Sequence, residues 1–242
     1  MSIKVSRPYE ACNMTDVKKR FQQIHHEIST SVSAAKRDPQ SVQLLAVSKT
    51  WPADALREVA ALGQRQFGEN YLQEALDKID ALADLDLEWH FIGPIQSNKT
   101  RDIAGHFDWV QSVDREKIAR RLNEHRPDSL APLNVCIQIN IDEEETKSGT
   151  SPEKLLTLAD YIATLDKLNL RGLMVIPSPK NSVADEKDSF SRAYELFQQL
   201  RHKYPQVDTL SMGMTADMST AIACGSTMVR IGTALFGQRN KR

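Results

Sequence analysis

The chain has 242 residues, 40% hydrophobic and 26% charged, with a formal net charge of -1. That size suits one sizeable core, and the near-neutral balance excludes a general binder of nucleic acid or acidic membranes, whose footprint is a clustered basic excess. Three scattered cysteines (Cys12, Cys136, Cys224), an opening segment without a signal-peptide core and the lack of any bilayer-spanning apolar run lead us to expect a cytoplasmic protein with no membrane partner.

Over 15–36, Val17, Phe21, Ile24, Ile28 and Val32 recur at three- and four-residue spacing, which predicts an amphipathic opening helix started by Thr15-Asp16. A β-rich run at 44–48 precedes a helix over 53–62 that Gly63 ends. The unit then recurs in kind. A strand at 65–68 is followed by a helix over 69–85 with Leu72, Leu76, Ile79 and Leu82 on one face. A strand at 88–92 leads through Gly93-Pro94 to a short helix near 98–104, and a strand at 109–113 leads through Asp114 to a helix over 115–125. The strand at 133–141 is almost continuously apolar, as a strand covered on both faces should be. Ser151-Pro152-Glu153 starts a helix to about residue 167, and a strand at 170–176 stops at Pro177-Ser178-Pro179. The polar stretch 180–188 reads as a mobile loop before a helix over 189–203. A strand at 209–212, a helix over 216–224 and a strand at 228–231 complete the series. Eight strands alternating with helices imply a parallel sheet. The count predicts one α/β domain, a (β/α)8 barrel of the TIM type over 41–237 with an N-terminal helical extension over 1–40, in preference to an open doubly wound sheet.

In such a barrel the chemistry belongs at the C-terminal ends of the strands. The polar residues there are Lys49, Glu69, Asn70, Gln96, Ser97, Asn98, Asn140, Ser178, Ser211 with Gly213, and Arg230 with Gly232 and Thr233. Lys49 closes the apolar run that begins at Gln43, and a half-buried amine in that place is how a barrel holds an aldehyde as a Schiff base. The segments 210–214 and 229–233 end the last two strands, where barrels build phosphate sites from backbone amides, glycines and hydroxyls such as those of Ser211 and Thr233. Together these suit a phosphorylated aldehyde. Blander readings stand beside this one. Most lysines after a strand are solvated. His90 reads as a satisfied core histidine, Arg230 has an alternative as ion-pair partner of Glu69, and the acidic run Asp142 to Glu145 reads as a solvated loop with Lys147 within reach of a ligand. Asn98-Lys99-Thr100 serves equally as a surface helix start or a lid contact.

Seven ordered motifs carry a resemblance: AVSKT at 46–50, FGENYLQE at 67–74, WHFIGPIQSNK at 89–99, KSG at 147–149, LRGLMVIP at 170–177, LSMGM at 210–214 and GSTMVRIGTALFG at 225–237. From Gln43 to Gly237 the chain resembles the pyridoxal-phosphate homeostasis protein family, which is similar to the barrel domain of alanine racemase. The resemblance implies pyridoxal 5′-phosphate held as an aldimine on Lys49, with phosphate contacts from Ser211, Gly232 and Thr233 and with Gly213 shaping that loop. It also implies that Arg230 faces the pyridine nitrogen and that Asn70 reaches the ring. Departures are small and lie beyond these contacts: Thr215 stands for a more usual serine, Ser219 for an acidic residue and Cys224 for an alanine.

To attack an aldehyde the lysine must be neutral, which desolvation and a nearby cation such as Arg230 both favour. An arginine facing the ring nitrogen keeps its own proton, so the ring stays unprotonated and is a poor electron sink. Racemisation also needs a second base, which in alanine racemase comes from an additional β domain and a partner subunit. Here only 242 − 233 = 9 residues follow Thr233, and no such domain is expected. The resulting expectation is a monomeric, metal-free carrier, without strong catalytic activity, that acts in intracellular vitamin B6 homeostasis and exchanges pyridoxal phosphate with apo-enzymes. The alternatives are an amino-acid racemase dependent on the same cofactor and an aldolase-like Schiff-base barrel, which would want an acid–base pair beside Lys49.

Overall fold

A computed structural model describes residues 14–144, 147–179 and 182–238. The elements in chain order are α1 (Met14–Ala34), β1 (Gln43–Val47), α2 (Ala53–Ala61), β2 (Gln66–Glu69), α3 (Leu72–Ala81), β3 (Glu88–Phe91), α4 (Thr100–His106), β4 (Trp109–Val113) and α5 (Glu116–His125). They continue with β5 (Leu133–Ile139), α6 (Leu155–Ala163), β6 (Leu168–Val175), α7 (Val183–Lys203), β7 (Thr209–Ser211), α8 (Met218–Ala223), β8 (Met228–Ile231) and α9 (Thr233–Phe236). The strands form a closed barrel in sequence order, every neighbouring pair is parallel, and β8 pairs back to β1 through Leu45 opposite Arg230. The expected (β/α)8 barrel with a leading helix is the observed architecture.

The strand sequences explain this closure. Side chains alternate between the two faces of a strand. Ala46, Phe67, Val110, Val135, Leu173 and Val229 pack outward into one large core with apolar helix residues such as Leu56, Ile103, Leu122 and Phe197. The inward face carries smaller clusters, Leu45, Val47, Ile92 and Met228 in one, Trp109, Cys136 and Met174 in another. Between them the interior is polar: His90, Gln111 and Ser211 are 0% exposed and Arg230 is 5% exposed. Helix α1 adds Val17, Ile24, Ile28 and Val32 to the large core and packs on α8 and α9, where Arg20 donates to the Leu235 carbonyl at 2.8 Å.

One expectation fails outright. The polar stretch read as a mobile loop is helical from Val183, because Ser182 caps α7 by accepting the Asp185 amide. These first turns are almost wholly exposed, so they carry no apolar period to betray a helix. Lys180 and Asn181 lie outside the described residues, as do Cys12 and Glu145. Two helices are also shorter than expected: α3 spans Leu72–Ala81, and α6 ends at Ala163 after a 3-10 turn at Pro152–Lys154.

Candidate functional site

Lys49 follows β1 on the inward register of Leu45 and Val47. It is half-buried, and no partner for its amine is present among the described residues. The backbone beyond it is strained. Thr50 has φ 69°, a left-handed conformation that costs a β-branched residue about 1–3 kcal/mol. A buried ion network braces this turn. Glu74 accepts the Thr50 amide and pairs with Lys78 at 2.5 Å. Lys78, 4% exposed, donates to the Ser48 carbonyl at 2.8 Å and pairs with Glu69 at 2.6 Å. The Ser48 hydroxyl donates to the same Glu69 oxygen at 2.6 Å. Burial pushes the Glu69 carboxyl above its ordinary value, against the pull of Lys78 and Ser48. Glu69 therefore pairs with Lys78, on the helix side of β2, and the alternative pairing with Arg230 is overturned: a strand residue one position past the inward Gly68 faces outward. Trp51 stacks on Phe236 with ring centroids 5.6 Å apart, which ties the turn to α9.

On β8, the strand that pairs with β1, Arg230 is held by uncharged groups. Its Nη1 donates to the carbonyl and hydroxyl of Ser211 at 2.7 and 2.8 Å, and Nη2 donates to the Val175 carbonyl at 2.8 Å. Burial pulls its pKa down to about 10, against the nearby Asp217 carboxylate, so it remains a cation at neutral pH. A guanidinium carries five N–H donors. The three bonds to Ser211 and Val175 leave donors over for a ligand. Ser211 stands differently from the expected hydroxyl contact to phosphate. Its proton lies on Gln111 Oε1 at 2.7 Å and its oxygen accepts Arg230, so in this structure it supports the arginine.

Ser211, Gly213 and Arg230 are brought into direct contact, for the Arg230 amide donates to the Gly213 carbonyl at 3.0 Å. Gly213 has φ 96°, and a Cβ there would sit 2.6 Å from the Ala221 Cβ, so only glycine fits the bend. Gly232 ends β8 against the Val47 carbonyl, two residues before Lys49. Thr233 is exposed at the head of α9, where the first N–H groups of a helix have no intrahelical acceptor. Asn70 follows β2, and its backbone lies so close to Gly93 that a Cβ on Gly93 would be 2.2 Å from the Asn70 carbonyl oxygen. The Asn70 side-chain oxygen is buried with no hydrogen-bond partner. A buried acceptor without a donor costs about 1–3 kcal/mol. An unpaired amine, a cation with spare donors and an orphan acceptor around one mouth fit a small polar ligand that bears a carbonyl and an anionic group.

The model of the alanine racemase N-terminal domain matches residues 20–240. The pyridoxal phosphate homeostasis protein of Haemophilus influenzae is 56% identical over 221 residues, covering 90% of this chain and 93% of the relative. That of Escherichia coli K12 is 50% identical over 230 residues, covering 94% and 98%. The chain belongs to the pyridoxal phosphate homeostasis protein family. PipY of Synechococcus elongatus PCC7942, solved with PLP bound, is 39% identical with a TM-score of 0.75 and covers 87% of this chain and 100% of its own. Alanine racemase of Clostridium difficile 630, 14% identical with a TM-score of 0.71, covers 92% of this chain and 58% of the enzyme, and shares the fold.

This family member also corrects the reading of its acidic run. Asp142 is no solvated residue: its side chain is 7% exposed and accepts the Ser178 amide at 2.6 Å, the Ser189 hydroxyl at 2.8 Å and Arg192 at 3.3 Å. It staples the end of β5 to the β6 loop and α7. Lys147 donates to the Ser178 hydroxyl at 2.7 Å in the same loop. Asn98 and Lys99 are exposed on a 3-10 turn. Two residues that sequence reading passed over are Gln111 and Lys78. A glutamine inside the strand WVQSV, and a glutamate and lysine at i and i+4 on α3, were the available signals. Among the described residues no cluster of His, Cys, Asp and Glu is arranged to hold a metal, and no helix is long and apolar enough to cross a membrane.

Proposed function

We propose that this chain holds pyridoxal 5′-phosphate as an aldimine on Lys49 at the C-terminal mouth of its barrel, and serves vitamin B6 homeostasis and supply as a carrier without strong catalytic activity. The observation that carries the proposal is the buried, cationic Arg230 with donors to spare, on the strand beside the one that ends in an inward-register lysine with no partner among the described residues. The family name and the PLP-bound PipY support it. Bound pyridoxal phosphate supplies an aldehyde for an amine and an aromatic ring able to take up electrons. Arg230 donates to the ring nitrogen and retains its proton, which weakens that electron uptake. Thr233 and the Gly232 backbone receive the phosphate, on the bend that Gly213 permits, with Ser211 acting through Arg230. Asn70 offers its orphan side-chain oxygen as an acceptor to a donor on the ring substituents. In this reading the protein is a cytoplasmic monomer that passes its ligand to apo pyridoxal-phosphate enzymes.

The test is colour and turnover together. Protein mixed with pyridoxal phosphate is expected to turn yellow, Lys49→Ala to stay colourless, and free amino acids to keep their configuration. A colourless wild type would refute the binding role. Rapid racemisation lost in Lys49→Ala would replace the carrier with a racemase.

A further inference from the structure

A continuous chain of hydrogen bonds crosses the barrel interior from Arg230 to Glu88, near the opposite end. Arg230 Nη1 donates to Ser211 Oγ at 2.8 Å, and Ser211 donates to Gln111 Oε1 at 2.7 Å. Gln111 Nε2 meets His90 Nδ1 at 2.9 Å, and His90 Nε2 meets Glu88 Oε1 at 2.8 Å. The chemistry of the two ends fixes the direction of every link. A carboxylate only accepts, so the proton of neutral His90 sits on Nε2 and Nδ1 is an acceptor. Gln111 must then present its NH2 group to His90 and its oxygen to Ser211. The Ser211 proton goes to that oxygen, and its lone pair is left for the guanidinium. Each donor therefore points from Arg230 toward Glu88.

The environment supports that single polarity. His90, Gln111 and Ser211 are 0% exposed, so turning any one of them would strand buried donors and acceptors. Burial holds the His90 pKa below its ordinary value in spite of Glu88 and Asp108, which keeps the ring neutral. Burial raises the Glu88 carboxyl, but the hydrogen bonds from His90 and from Gln66 at 2.8 Å outweigh it, and Glu88 stays ionised.

We infer that Gln111, backed by His90, is a positioning residue for Arg230: it holds the Ser211 hydroxyl in the one orientation that receives the guanidinium and so sets which N–H groups face the ligand. This rests on the reading of pyridoxal phosphate beside Arg230 and adds residues that do not touch it. It also leaves Ser211 without a proton for the phosphate, which Thr233 and backbone amides must then receive.

The test uses full-length protein loaded with pyridoxal phosphate, and reads the ligand dissociation constant by equilibrium dialysis together with the pH midpoint of the bound ligand's visible absorption. Gln111→Met keeps the length of the side chain and removes both links. It is expected to weaken binding about tenfold, the effect of about 1.4 kcal/mol, and to move the midpoint. Gln111→Glu restores an acceptor for Ser211 while His90 takes a second proton, so binding within about threefold of wild type and a restored midpoint are expected. Arg230→Lys is the control for the underlying reading, and Thr233→Val should weaken binding with the midpoint unmoved. If Arg230→Lys moves the midpoint and Gln111→Met does not, the positioning role is overturned alone. A shift that Gln111→Glu fails to reverse would assign the effect to packing and overturn it as well. A midpoint unmoved in Arg230→Lys would overturn the reading of the site, and the inference with it. Should Gln111→Met not fold, Ser211→Ala removes one hydroxyl and reads the same link, with the same shift expected and an unmoved midpoint against it.

Discussion

Two neighbouring stretches of the barrel mouth, joined where β8 pairs with β1, are held by opposite means. On the β1–β2 side, buried charges brace a backbone: Glu69, Lys78 and Glu74 clamp Ser48 and the strained Thr50, and the amine of Lys49 is left over between them. On the β7–β8 side, neutral groups brace a charge: Ser211, the Val175 carbonyl and, behind them, Gln111 grip the Arg230 guanidinium. The difference follows from what each side must offer. In the proposed function an amine that is to meet an aldehyde has to stay free of partners, and the fold fixes its chain and not its nitrogen. A group that tunes a ring has to keep both its proton and its direction, so the fold fixes the side chain itself.

The largest test of this contrast removes the central cation. Lys78→Met leaves Glu69 buried without a counter-charge and is expected to destabilise the fold by about 3–5 kcal/mol in urea unfolding. A loss below about 1 kcal/mol would mean that charge does not brace the β1–β2 side. Gly213→Ala attacks the other side, since its Cβ meets Ala221 at 2.6 Å in a left-handed bend. A loss of about 2 kcal/mol is expected, with weakened ligand retention because the Gly213 carbonyl holds the Arg230 amide. Unchanged retention would detach that bend from the site.

His90 sharpens the comparison through pH. Its folded pKa is lowered from 6.5, so the unfolded chain binds that proton more readily. Its contribution is present above pH 6.5 and is lost as pH falls through that value toward the lower folded one. Wild-type stability should therefore drop below pH 6.5 more steeply than that of His90→Gln, by up to about 1.4 kcal/mol per pH unit. Parallel curves would mean that the neutral chain does not depend on a neutral histidine. The smallest effect is expected at the strained turn. Thr50→Gly should relieve the left-handed conformation and raise stability by about 1 kcal/mol, and a loss would show that the threonine side chain matters more than its strain.

Much of this architecture was legible in the sequence, and the gaps have physical causes. Strand and helix periods alternate cleanly, so the barrel and the strand ends that carry Lys49, Asn70, Ser211 and Arg230 follow from patterning. The supports do not. Lys78 reads as an exposed helix lysine because period alone cannot see that Glu69 turns outward and waits for it. Gln111 sits among apolar neighbours in a strand, and its partners His90 and Ser211 lie 21 and 100 residues away along the chain. Asp142 looks solvated beside three further acids, yet Ser178, Ser189 and Arg192 converge on it from two later elements. Long-range partners of single polar groups leave no periodic trace.

The most direct test of the central claim is to treat pyridoxal-phosphate-loaded protein with borohydride and map the modified peptide by mass spectrometry. We expect a reduced pyridoxyl adduct on Lys49, formed also in Thr233→Val and absent in Lys49→Ala. An adduct on another lysine, or equal labelling of Lys49→Ala, would contradict the assignment of Lys49 as the anchor.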